Sequence, residues 1–194
     1  MTTWEALFRR EVVEALLRTY SERIPYIRTH AERVSEYARR LAEHLGWPPE
    51  EVEQVREAAL LCDLGQVAVS DLILAKPDRL TEDEWEMMKR HPVLGAEIVG
   101  AITLLRPLSI PIRHHHERYD GTGYPDALRG EDIPLESRLL ALCDAYDALL
   151  SERPYRPPLS PEEAQAVLRE NAGTQFDPHL TEAFLTLLQS QRKV

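Results

Sequence analysis

The sequence predicts an all-α protein, and three observations carry that expectation. Apolar residues recur at helical spacing, as in the stripe Ile27, Val34, Tyr37, Ala38, Leu41 and Leu45. Helix-start signals stand where such stripes begin: Pro25, the capping box of Thr81 and Glu84, the box of Ser160 and Glu163 with Pro161 between them, and Asp177-Pro178. Nowhere is there a long alternating run of β-branched residues.

In chain order, residues 3–20 read as an amphipathic helix with Leu7, Val12, Ala15, Leu16 and Tyr20 among its apolar positions. A second helix starts near Pro25 and ends before Gly46 and Pro48-Pro49. His30, between Ile27 and Val34, points at the core, an unusual place for a ring with two polar nitrogens. A third helix covers roughly 50–62 through Val52, Val55, Ala58, Ala59 and Leu60, followed by a short connection at Gly65. The capping boxes open further helices, and Asp177-Pro178 opens the last one through Phe184, Leu187 and Leu188. The stretch from Glu117 to Pro134 differs: Gly121, Gly123, Gly130, Pro125 and Pro134 make it a shaped loop, with Tyr119 and Tyr124 between them. Long loops in compact domains often carry function.

The chain has 194 residues, 43% of them hydrophobic, enough for one substantial core. Its net charge of −10 argues against an extended nucleic-acid surface, which needs many cationic contacts. No apolar stretch is long enough for a membrane span, and no leader-like segment opens the chain, so a soluble cytoplasmic protein is expected. The two cysteines, Cys62 and Cys143, lie in apolar sequence and read as free buried thiols rather than a disulfide.

The seven histidines carry the chemistry. His114, His115 and His116 are consecutive, and neighbouring helical residues point about 100° apart, so two can grip from a helix edge while His114 points away. His30 and His91 have apolar flanks; His44 and His179 read as surface residues. Asp63 and Asp144 sit inside the apolar strings AALLCDLG and LLALCDAYDALL, where an unpaired carboxylate is very costly. Asp144 and Asp147 share a helix face. Imidazoles and carboxylates together suit a first-row transition metal, and a carboxylate bridging two ions can organise chemistry on a phosphoryl group.

The string HHERYDGTGYP at 115–125 resembles the HD-GYP family, a branch of the HD metal-dependent phosphohydrolase superfamily. LILAKPDRLTEDEW at 72–85, HPVLGAEI at 91–98, RGEDIPLESRLLALCDAYDALLSERPYR at 129–156 and NAGTQFDP at 171–178 extend the likeness over about residues 26–188. It implies an HD-domain-like helical bundle with an added GYP loop at 26–190, preceded by a helical extension at 1–25. It also implies a metal-dependent phosphodiesterase of cyclic di-GMP or, for a minority of such proteins, hybrid cyclic GMP-AMP. By the resemblance, Asp63 bridges two metals (Mn, Fe or Zn). His91, His115 and His116 complete one site; His30, Asp144 and the residue at position 62 complete the other. Gly123, Tyr124, Pro125, Asp147, Arg153 and Arg156 become candidates for the substrate pocket.

One flank departs from the family pattern. The string that should read HDxGK is CDLGQ, so Cys62 stands for the histidine and Gln66 for the phosphate-facing lysine. Tyr26 falls near the place of a carboxylate that supports a third metal in some members. The expectation is one well-occupied metal site, a weaker second, and altered or weakened hydrolysis. The alternatives are a non-catalytic cyclic-dinucleotide sensor or module for a signalling protein partner, and a hydrolase of another phosphate ester.

Overall fold

A computed structural model describes residues 3–152 and 157–190. Among them, the chain forms α1 (Thr3–Arg23), α2 (Pro25–His44), α3 (Pro49–Leu61), α4 (Asp71–Leu74), α5 (Glu82–Met88), α6 (His91–Gly100), α7 (Ser109–Arg113), α8 (Leu135–Leu150), α9 (Pro161–Glu170) and α10 (Pro178–Ser190). The all-α expectation holds: the described residues contain no strand, only an isolated bridge between Ala172 and Phe176. Local chemistry sets several boundaries. Pro25 and Pro49 occupy first-turn positions, and both expected capping boxes form, at Thr81 with Glu84 and at Ser160 with Glu163. The Asp177 carboxylate accepts from the backbone N–H groups of His179 and Leu180, which start α10.

The core lies where α2 packs on α3 and α8. Ala38, Ala58 and Ala59 are fully buried and let α2 and α3 approach closely, while Leu41, Leu61, Leu139 and Leu142 fill the space around them. Each such leucine stabilises the fold by about 1.5–3 kcal/mol through lost contact with water. Tyr37, Tyr146 and Phe184 pack edge to face, with ring centroids 5.2–6.0 Å apart, and tie α10 to α2 and α8. From α1, Val13, Leu17 and Tyr20 join the same core. A buried pair of Arg9 and Glu57 at 2.5 Å links α1 to α3. Cys143 is core, and His44 and His179 are exposed, as the sequence suggests.

Three junctions then meet. Cys62 caps α3 and Asp63 follows it, leading into a 3-10 turn over Leu64–Ala68. That turn lies against α6, and only glycine fits at the contact: a Cβ on Gly65 would stand 1.9 Å from the His91 carbonyl oxygen. The close approach brings Asp63 to the first residue of α6. The third junction is the turn beyond α7. His114, His115 and His116 sit in that turn rather than on a helix edge, because α7 ends at Arg113.

Candidate metal centre

Asp63, His91, His115 and His116 each present one ligand atom such that all lie within 4.8 Å of one another. His91 Nε2 stands 3.2 Å from Asp63 Oδ1 and 3.4 Å from His115 Nε2. The far nitrogens explain the orientation. His91 Nδ1 donates to the Met88 carbonyl at 2.8 Å, and His115 Nδ1 donates to the Ile112 carbonyl at 2.6 Å. A carbonyl can only accept, so Nδ1 carries a proton in each ring, and Nε2 is the nitrogen that each ring turns toward the centre. The two Nε2 atoms thus face each other in a buried pocket. Burial holds the His115 imidazole below its ordinary pKa, with the neighbouring His91 acting in the same direction. Burial, then His115 and His91, hold His116 lower still. Asp63 is largely enclosed, which opposes its charge, yet its hydrogen bond with His91 and the nearby His91, His30 and His115 keep it well below the ordinary carboxylate range. Imidazole nitrogens converging on an ionised carboxylate are a donor set suited to a divalent cation.

The second oxygen of the same carboxylate faces another group. Asp63 Oδ2 is 3.7 Å from His30 Nε2, and that nitrogen is 3.0 Å from Asp144 Oδ1. His30 Nδ1 meets Asp147 Oδ2 at 2.7 Å. Asp144 and Asp147, three residues apart on α8, therefore hold opposite nitrogens of one ring on α2. Arg33 grips Asp147 from behind, at 2.5 and 2.9 Å. Burial opposes charge on His30, but hydrogen bonds with Asp144 and Asp147 outweigh it and push the pKa up to about 10. Without metal this ring carries a proton at neutral pH, and a cation at Nε2 must displace it.

The cysteine and glutamine of CDLGQ turn elsewhere. The Cys62 thiol is buried and donates back to the Ala59 carbonyl at 3.2 Å; burial, then the charges of Asp63 and Asp144, push its pKa well up. It is not among the four residues that converge within 4.8 Å. The Gln66 amide donates to Asp63 Oδ1 at 2.6 Å.

The GYP loop closes over the imidazoles. Gly123 lies so close to the preceding chain that a Cβ would stand 2.3 Å from the Arg118 nitrogen. The Tyr124 N–H donates to the His116 carbonyl at 3.2 Å, and the two rings lie 5.0 Å apart. Burial and the charges of Asp63 and Asp144 raise the Tyr124 phenol, keeping it a proton donor. NAGTQFDP braces the loop: Tyr119 and Asp120 donate backbone N–H groups to the Gln175 and Thr174 carbonyls. The Tyr124–Pro125 peptide bond is cis.

Asp147, which the resemblance implies for the substrate pocket, has a side chain 1% exposed and engaged by His30 and Arg33, so it orients the His30 ring. Arg153 and Arg156 lie outside the described residues. Trp85 was missed by sequence reasoning. It is 45% exposed on α5 and meets the Tyr124 ring edge-on at 6.0 Å. Its one sequence signal is a large aromatic just inside the capping box of TEDEW.

The HD domain family model matches residues 12–180. The chain is 44% identical over 186 residues to the cyclic di-GMP phosphodiesterase response regulator RpfG of Xanthomonas campestris, covering 91% of this chain and 47% of that protein. It is 41% identical over 173 residues to a cyclic di-GMP phosphodiesterase of Vibrio cholerae, covering 81% of this chain and 35% of that one. The chain thus spans less than half the length of both relatives. Among solved structures, Bd1817, an HDG"Y"P protein from Bdellovibrio bacteriovorus, superposes with a TM-score of 0.69 at 24% identity, over 84% of this chain and 52% of that chain, which supports a shared fold. No helix among the described residues is long and apolar enough to cross a membrane. With the metal-ready junction and the loop sequence HHERYDGTGYP in place, the chain belongs to the HD domain family.

Proposed function

We propose that this chain is a cytoplasmic, metal-dependent phosphodiesterase of cyclic dinucleotides, cyclic di-GMP first among them, with turnover weakened by Cys62 and Gln66. Residues 26–190 form the working domain and residues 1–25 a helical extension. The reading rests on one observation: the two oxygens of Asp63 face different groups, Oδ1 toward His91 and Oδ2 toward His30. That disposition suits a carboxylate shared between two ions, with His91, His115 and His116 on one side and His30 and Asp144 on the other. Divalent ions of the Mn, Fe or Zn type would supply Lewis-acid stabilisation of the phosphoryl group and activation of a water.

The chain's own residues do the positioning. The backbone bonds of His91 and His115 hold their Nε2 atoms toward the centre, and Asp147 does the same for His30. The raised Tyr124 phenol keeps its proton and can donate to a phosphate oxygen. Trp85, exposed beside Tyr124, offers a face on which a base can stack. In the place of a lysine, Gln66 brings an amide without charge, and the electrostatic help of a cation to the transferring phosphoryl group is lost.

A second reading, a cyclic-dinucleotide sensor that serves a signalling partner without hydrolysis, is favoured by the Cys62 thiol pointing back at Ala59. The deciding assay incubates reduced, anaerobic protein with cyclic di-GMP and Mn, Fe or Zn and separates the linear product. Slow, metal-dependent product supports the enzyme. Calorimetric binding with no product above a metal-free control selects the sensor. Turnover of other phosphate esters alone points to a different hydrolase.

A further inference from the structure

His114 turns away from the metal centre, as its place in the triple histidine suggests, and meets two carboxylates. Its Nδ1 stands 3.5 Å from Asp126 Oδ2 and 3.8 Å from Glu117 Oε1. One ligand atom from each of the three residues lies within 4.8 Å of the others. The cluster spans the GYP loop: His114 and Glu117 lead into it, and Asp126 follows Pro125.

Two atoms here are buried without a hydrogen-bond partner, His114 Nδ1 and Glu117 Oε2. The Glu117 side chain is 0% exposed and that of His114 only 10%. An unpartnered buried polar atom costs about 1–3 kcal/mol, more when it is charged. The other Glu117 oxygen already accepts from the Asp126 N–H at 2.7 Å. Arg113 forks onto Asp126 at 2.8 and 2.9 Å, yet each carboxylate oxygen has two lone pairs, so one on each remains. Asp126 is 36% exposed and gives an ion a way in from solvent.

We propose that His114, Glu117 and Asp126 form a separate site for a zinc-like divalent ion, which pins the GYP loop to the end of α7. One imidazole and two carboxylates suit such an ion. Its charge offsets the two carboxylates, which Arg113 alone does not balance, and it satisfies the orphaned His114 Nδ1. Its effect reaches the metal centre through Tyr124, which the pinned loop holds against His116. The competing occupant is a proton on His114 shared with Asp126.

The test is anomalous diffraction at the zinc edge from crystals of the full chain soaked in zinc chloride. A peak between His114, Glu117 and Asp126 is expected, whatever the occupancy of the Asp63 centre. In solution, His114→Gln and Asp126→Asn should each bind one equivalent of zinc less than wild type, with the peak at the Asp63 centre retained. Absence of the peak in the wild-type crystal overturns the proposal and leaves the proton as occupant. An undiminished peak in His114→Gln crystals overturns it equally. The wild-type measurement needs no substitution, so a variant that folds poorly does not shelter the idea.

Discussion

The Gln66 amide donates to Asp63 Oδ1 over 2.6 Å, and the same oxygen stands 3.2 Å from His91 Nε2. The carboxylate at the middle of the centre is therefore held by an uncharged amide on the flank that departs from the family pattern. On the opposite flank, Asp63 Oδ2 faces a histidine that holds a proton when no metal is bound. Both relationships bear on how ions fill the centre.

Occupancy should be unequal. The Asp63, His91, His115 and His116 group presents four converging donors, whereas the His30, Asp63 and Asp144 group must lose a proton and has no imidazole at position 62. Titration with manganese, followed by competition with a chelator, should resolve a tight and a weak equivalent. Two equivalents of matching affinity would contradict this asymmetry.

Asp147→Asn should weaken the weaker equivalent roughly 10–100-fold, because the carboxylate that orients His30 is replaced by an amide. The tight equivalent should be untouched. Loss of the tight equivalent instead, with the weak one intact, would show that Asp147 acts by another route.

Gly65→Ala should disrupt the centre without adding or removing a ligand. Its Cβ would collide with the backbone of His91, so the 3-10 turn must move away from α6. A loss of about 1–3 kcal/mol in stability is expected from such overpacking. Thermal unfolding with metal analysis checks it; wild-type stability with full metal content would refute the close-contact argument.

Trp85→Ala should leave metal content and melting temperature unchanged, since the ring is 45% exposed and meets Tyr124 of the loop at a steep angle across 6.0 Å. Cyclic di-GMP binding should weaken by ~1–3 kcal/mol if a base stacks on it. Calorimetry with the metal-loaded variant gives the answer, and unaltered affinity removes Trp85 from the pocket.

The helices and their starts were legible because capping boxes and first-turn prolines act locally, within a few residues. The converging histidines were legible for a different reason: polar rings and carboxylates stood out in apolar sequence. What could not be read depends on partners far along the chain. The bond of Asp147 to His30 gave no sign because the two lie 117 positions apart. Gly65 gave no sign of its contact with His91, and Trp85 faces Tyr124 only after α5 and the loop are folded together. The inward turn of the Gln66 amide and the backward turn of the Cys62 thiol are likewise rotamer choices set by packing.

The most direct measurement compares cyclic di-GMP hydrolysis by wild type and by the Cys62→His, Gln66→Lys double variant at equal protein, reducing conditions and metal loading. The histidine adds a ligand beside Asp63 and the lysine adds a cation for the phosphate, and neither replaces the other. One well-placed electrostatic donor is worth about 10²–10³ in rate, so a gain of at least about tenfold, larger than from either change alone, is expected. A double variant that binds two metals and cyclic di-GMP yet forms linear product no faster than wild type would contradict the account.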